Sequence, residues 1–227
     1  MIRFLSAAAI VAAFTLATAS AAQAPRDWRN TVTLSPEGGH RIGNPAAPTK
    51  LVEYASYTCS HCADFTRDAK APLEDGLVRQ GRVQLEIRNA VRDRLDLAMT
   101  LLARCGGPAR FRLSHNLIFT NQKALMDKAV AFEDAGTPYA GITRPEQQLR
   151  RLSDGSGLTA LMRTRGLNDA AIDRCLADAP TRDRLIAQSQ AAFSEIAGTP
   201  SFKVNGRLVE AHGWAALEPE LRATPAR

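Results

Sequence analysis

Cysteine is scarce in this chain: four residues among 227, too few for a disulfide-stapled mini-protein. After the first two dozen residues no apolar run approaches the roughly 20 residues that a membrane-spanning helix needs. Charge of one sign is not concentrated either. Lys and Arg number 29 against 23 Asp and Glu, a formal +6, but Arg88, Arg92, Arg94, Arg104, Arg110 and Arg112 are scattered among apolar residues and Asp. A nucleic-acid-binding face would gather them, so nucleic acid is excluded as a partner. There is no phosphate-binding Gly-rich loop, no G-x-S-x-G nucleophile elbow, no internal repeat and no low-complexity tract. What is present, 45% hydrophobic and 23% charged residues, describes a packed core rather than a disordered chain.

The first segment reads as an address. Met1-Ile2-Arg3 is a short basic start, Phe4 to Ala19 is largely apolar, and small residues follow from Ala19 to Ala24. That layout is a cleaved secretory signal. Cleavage falls after Ala21 or, as a second choice, after Ala24, so residues 1–21 form the signal peptide. The mature chain is then expected in a bacterial periplasm, where disulfides persist.

Downstream, residues 25–48 are rich in Gly and Pro and read as an extended lead-in with one short strand near Thr31–Leu34. Lys50–Ser56 is a strand candidate. Helical spacing runs from Cys59 through Phe65 and Ala69 to an expected break or kink at Pro72. Val83–Ile87 alternates apolar and polar residues as a second strand does. From Asp93 to about Ile196 the period is helical, with apolar stripes at Ala98, Leu101, Leu102, Cys105 and at Ile172, Cys175, Leu176. Strands return at Ser201–Val204 and Arg207–Val209 around Asn205-Gly206, a strong hairpin signal, and a last helix covers about Trp214–Leu221. The units expected are 25–92, a helical insertion over 93–190, and 191–227.

The chemistry is carried by Cys59-Ser60-His61-Cys62, directly after a strand and opening a helix. Two cysteines at this spacing in a first helical turn can close a small reducible disulfide. The first sulfur sits where unpaired N–H groups and the helix dipole favour an anion, and the thiolate is the reactive species. Cys59 is therefore the expected exposed nucleophile and Cys62 the buried resolving thiol, with His61 able to lend positive charge or a hydrogen bond. A zinc site would need a second close ligand pair, and Cys105 and Cys175 stand apart. A c-type haem site would need His, not Ala63, after the second cysteine.

With these motifs the chain resembles the DsbA-like thiol:disulfide oxidoreductases of the thioredoxin superfamily. Leu51-Val52-Glu53-Tyr54 with Tyr57-Thr58-Cys59-Ser60-His61-Cys62 is similar to the family's core strand and active-site turn. Gly198-Thr199-Pro200-Ser201-Phe202-Lys203-Val204-Asn205-Gly206 is similar to its cis-proline loop and hairpin, and Gly43-Asn44-Pro45-Ala46-Ala47-Pro48 to its lead-in. The resemblance implies an α/β thioredoxin fold with an inserted all-helical domain. It implies a cis bond between Thr199 and Pro200 packed on the cysteine pair, with Thr199 offering backbone groups to an extended substrate segment.

Glu53 taken alone would face water, since burying a carboxylate in a strand is costly. Its place six residues before Cys59 resembles the family's buried acidic residue, which assists proton transfer at the buried thiol. Cys105 and Cys175 are either two buried free thiols or, in an oxidising compartment, a structural disulfide, the reading preferred here.

The activity implied is donation of the Cys59–Cys62 disulfide to reduced exported proteins, with no cofactor, by a monomer reoxidised through a membrane quinone-linked partner. Ser60-His61 in place of Pro-His, and Thr199 before the proline, differ from the best-known oxidases. They leave a disulfide reductase or isomerase as the alternative. A Cu(I)-binding protein using Cys59, Cys62 and His61 is a further reading from another class.

Overall fold

The computed structural model describes residues 26–222; the signal peptide expected over residues 1–21 lies outside the described residues. The sheet is built on β3, Thr49–Ala55, which pairs in parallel with β4, Val83–Asn89, and antiparallel with β5, Ser201–Val204. Period-two alternation sorts β3 between two faces. Leu51 and Ala55 enter the main core, whereas Val52 and Tyr54 pack with Ala90, Ala192 and Ile196 on the other side. Three short strands complete the sheet: β1 Val32–Leu34, β2 His40–Ile42 and β6 Arg207–Val209. The order is β1-β2-β4-β3-β5-β6.

Two sequence expectations change here. The lead-in carries two strands, because His40–Ile42 pairs with both Val32–Leu34 and β4. Pro72 does not break the helix. Helix α1, Ser60–Ala69, runs on through a π-helical stretch, Lys70–Val78, with five-residue bonds from Arg79 N–H to Glu74 O at 3.1 Å and from Arg82 N–H to Leu77 O at 2.9 Å. The wider turn accommodates the proline, and Leu73 and Val78 stay buried.

Between β4 and β5 lie seven helices: α2 Arg94–Arg104, α3 Pro108–Thr120, α4 Gln122–Asp134, α5 Pro145–Gly155, α6 Leu158–Arg163, α7 Asp169–Leu176 and α8 Ala179–Phe193. Helix α2 is buried from Leu95 to Ala103, since α3, α5, α7 and α8 all pack on it. Its C-terminal Cys105 is bonded to Cys175 of α7, with Cα atoms 5.8 Å apart. In the β5–β6 hairpin Asn205 and Gly206 both take positive φ, 49° and 84°, as the tight turn requires. Asn205 also docks the hairpin on β3, accepting from Lys50 N–H at its Oδ1 and donating its own N–H to Lys50 O, each at 2.8 Å. Helix α9, Trp214–Arg222, closes the described chain.

Candidate active site

Strand β3 delivers the chain to a turn, Ser56–Thr58, and Cys59 caps α1 with extended backbone, φ −98° and ψ 116°. No side chain makes a capping hydrogen bond to this helix, Cys59 Sγ included. The backbone N–H groups of His61 and Cys62 nonetheless favour the thiolate of Cys59. Cys59, expected to be exposed, is only 5% exposed because the Thr199–Pro200 loop lies over it, and Cys62 is fully buried as expected; both are free thiols. The Thr199–Pro200 peptide bond is cis. Because β5 pairs with β3 through Glu53↔Phe202 and Tyr54↔Ser201, this loop lies against the turn, and the Cys59 thiol donates to Thr199 O at 3.0 Å.

The two thiols are driven apart. Hydrogen bonds from the Cys62 thiol and the Thr199 side chain, with the backbone N–H groups of Cys62 and His61, outweigh burial and hold the Cys59 thiol down to about 4. Its bond to Cys59, burial and the nearby Glu53 push the Cys62 thiol strongly up. His61 is exposed, and its backbone N–H contributes at the sulfur.

Glu53 is 2% exposed, on the face of β3 that faces the main core, not toward water. Its strand partners Ile87 and Phe202 are both buried, and its Oε1 has no hydrogen-bond partner. Burial, then the charge of Cys59, push its carboxyl up to about 8. The stability that a neutral Glu53 contributes is thus complete below its ordinary value of 4.5 and is lost as pH rises through about 8, up to roughly 4–5 kcal/mol for a shift of this size. In the oxidised protein neither active-site cysteine titrates and the Cys59 charge is absent, so burial alone raises the carboxyl and the effect there is smaller. Denaturant unfolding between pH 5 and 8.5 should show wild-type stability falling relative to Glu53→Gln; parallel profiles would mean that Glu53 stays ionised.

The turn is held from the far side by groups that the sequence did not single out. Asp96, fully buried near the start of α2, accepts from Ser56 Oγ at 2.6 Å, Tyr57 N–H at 2.8 Å and Arg92 N–H at 3.0 Å. Thr58 Oγ1 donates to Asp93 at 2.6 Å. The Tyr57 hydroxyl meets His115 Nδ1 at 2.9 Å, and Gln122 Nε2 donates to the carbonyls of Tyr57 and Cys59. Asp93 and Asp96, as N-cap and third residue of α2, carried a local signal; Gln122 carried none. Among the described residues no group of three His, Cys, Asp or Glu is arranged to hold a metal. Cys105 and Cys175 lie in their own bridge, away from the dithiol.

Two thiols of opposed acidity, on a strand-to-helix turn beside a cis-proline, define a thioredoxin-fold protein with a dithiol site. The family model described as thioredoxin matches residues 35–221, and the chain belongs to that family, with the helical insertion of its DsbA-like members. It is 31% identical to a protein-disulfide isomerase of solved structure from Novosphingobium aromaticivorans. That match covers 82% of this chain and 96% of the other, with a TM-score of 0.75. Wolbachia pipientis alpha-DsbA1, 19% identical over 84% of this chain and 92% of its own, shares the fold at a TM-score of 0.63. A provisionally named protein-disulfide oxidoreductase of Rickettsia bellii is 27% identical over 172 residues, 74% of this chain and 58% of the relative. The chain thus spans little more than half the length of the curated relatives it matches.

Proposed function

We propose that the protein is a periplasmic thiol:disulfide oxidoreductase that donates the Cys59–Cys62 disulfide to reduced exported proteins. The observation that carries this is the pair of free thiols, Cys59 and Cys62, sharing one helical turn at a strand-to-helix junction beside the cis Thr199–Pro200 bond. A substrate thiolate attacks Cys59 Sγ; the new bond joins substrate sulfur to Cys59, and Cys62 leaves with the electron pair. A buried thiolate is unfavourable there, and neutral Glu53 supplies the proton. A second substrate thiolate then attacks the substrate sulfur and displaces Cys59 as a thiolate, which the helix N–H groups hold. The substrate loses two electrons and the protein gains two. Thr199 and Pro200 present the backbone edge along which the substrate segment lies. Reoxidation falls to a membrane quinone-linked partner, and the protein acts as a monomer without a cofactor.

The deciding measurement is the reduction potential, taken by equilibrating mature protein with glutathione buffers. Stabilising the Cys59 thiolate favours the reduced form, so an oxidising value near the roughly −120 mV of DsbA is expected. A value near the roughly −270 mV of thioredoxin would make the protein a reductant instead. Isomerisation is the second reading, supported by Thr199 before the proline and by the likeness to the Novosphingobium protein, which bears the name of an isomerase. Recovery of activity from a scrambled-disulfide substrate, without added oxidant, would favour it.

A further inference from the structure

Gln122 belongs to the helical insertion, 63 positions from Cys59, yet it is 5% exposed and spends its amide on the redox turn. As the first residue of α4 it aims Nε2 at Tyr57 O, 2.9 Å away, and at Cys59 O, 2.8 Å away. A primary amide has two N–H donors, and here two backbone carbonyls take them. Cys59 O already accepts the first bonds of α1, from Cys62 N–H at 3.1 Å and Ala63 N–H at 3.3 Å. Gln122 therefore adds a further donor to the carbonyl of the very residue whose sulfur reacts. The peptide groups flanking Tyr57 are gripped from both sides, the N–H by Asp96 and the C=O by Gln122.

The consequence is electrostatic as well as geometric. A backbone carbonyl close to its own side-chain sulfur disfavours negative charge there, and a donor on that carbonyl offsets the effect. The same clamp keeps the sulfur where the N–H groups of His61 and Cys62 point at it. Unclamped, Cys59 O keeps its two helix bonds but the carbonyl of Tyr57 loses the Gln122 donor, a costly condition that the turn relieves by shifting.

We propose that Gln122 is a positioning residue of the redox site, its amide clamping the carbonyls of Tyr57 and Cys59 and so setting the equilibrium of thiol–disulfide exchange at Cys59. This rests on the redox reading above and adds to it a control point in the insertion. The charged and titratable groups around the turn, Glu53, Cys62, His61, Asp93 and Asp96, are left in place by the test.

The test compares the full mature chain with Gln122→Met, which keeps length and apolar stem but has no donor. In glutathione buffers the variant should be about tenfold more reducing, a shift of roughly 30 mV, and the Cys59 thiolate absorbance near 240 nm should titrate at higher pH. Gln122→Glu, which sets a carboxylate against two carbonyls, should shift further in the same direction at neutral pH. Met126→Ala, on the same helix but outside these hydrogen bonds, should leave both readings alone and so controls for a loosened α4. Both Gln122 variants within twofold of wild type would overturn the proposal. So would a Met126→Ala shift as large as theirs, or loss of folding in both Gln122 variants, since each makes the role structural. Failure of the wild-type protein to exchange with glutathione at all would overturn the redox reading itself, a distinct outcome.

Discussion

Changing Cys62 to serine is expected to turn the protein into a trap, with mixed disulfides accumulating at Cys59 and turnover lost by at least about a hundredfold. Cys59 keeps its extended capping geometry and its place beside Thr199, so its thiolate still attacks oxidised glutathione; a substrate thiolate then attacks Cys59 Sγ, and glutathione leaves as a thiolate. What is missing is Cys62, which would displace the bound chain by reclosing the Cys59–Cys62 disulfide, so the covalent intermediate persists until a second substrate thiol resolves it. Cys59→Ser should give no adduct and no turnover. The pair of variants assigns the roles: non-reducing electrophoresis after incubation with a reduced, unfolded substrate and oxidised glutathione should show the adduct for Cys62→Ser alone. Adducts on the Cys59→Ser protein instead would reverse the assignment of nucleophile and resolving thiol.

Removing the other cysteine pair should cost stability and leave redox chemistry unchanged. The Cys105–Cys175 bond spans 70 residues, and the chain-entropy estimate for a loop of that length is about 4 kcal/mol. The bond ties the end of α2, buried nearly throughout, to α7. Cys105→Ala with Cys175→Ala is therefore expected to lower the unfolding free energy by about 2–4 kcal/mol. The denaturant slope should rise as well, because the uncrosslinked unfolded chain exposes more surface. The Cys59–Cys62 potential should stay within error of wild type. A loss under about 1 kcal/mol would show that helix packing alone holds the insertion.

The parts of this architecture legible in the sequence are those written locally. Lys50–Ser56 followed by Cys59-Ser60-His61-Cys62 marks a strand-to-helix junction in a dozen residues, and Asn205-Gly206 marks a hairpin in two. Strand β2 was not legible, because His40–Ile42 is three residues long in a Gly-rich stretch and exists only through its partners β1 and β4. Pro72 misled for a related reason: a local rule predicts a break, and a five-residue hydrogen-bond register sidesteps it. Glu53 was ambiguous in isolation, and its burial is settled by Ile87 and Phe202 on the neighbouring strands. Asp96 was legible only as part of a helix start, and Gln122 was silent, since the bonds it makes cross 63 and 65 positions. Sequence spacing carries no record of such partners.

That division bears on portability. The Cys-x-x-Cys tetrapeptide could be grafted onto any strand-to-helix turn, but the donors and acceptors that hold this turn come from α2, α3 and α4. A transplant of residues 56–62 alone would leave Asp93, Asp96, His115 and Gln122 behind. It would carry the reactive atoms without their setting, and the recipient's own scaffold would dictate whether the thiols gave up electrons or took them. The heritable unit of this chemistry is the strand, the turn, the Thr199–Pro200 loop and the first three helices of the insertion together.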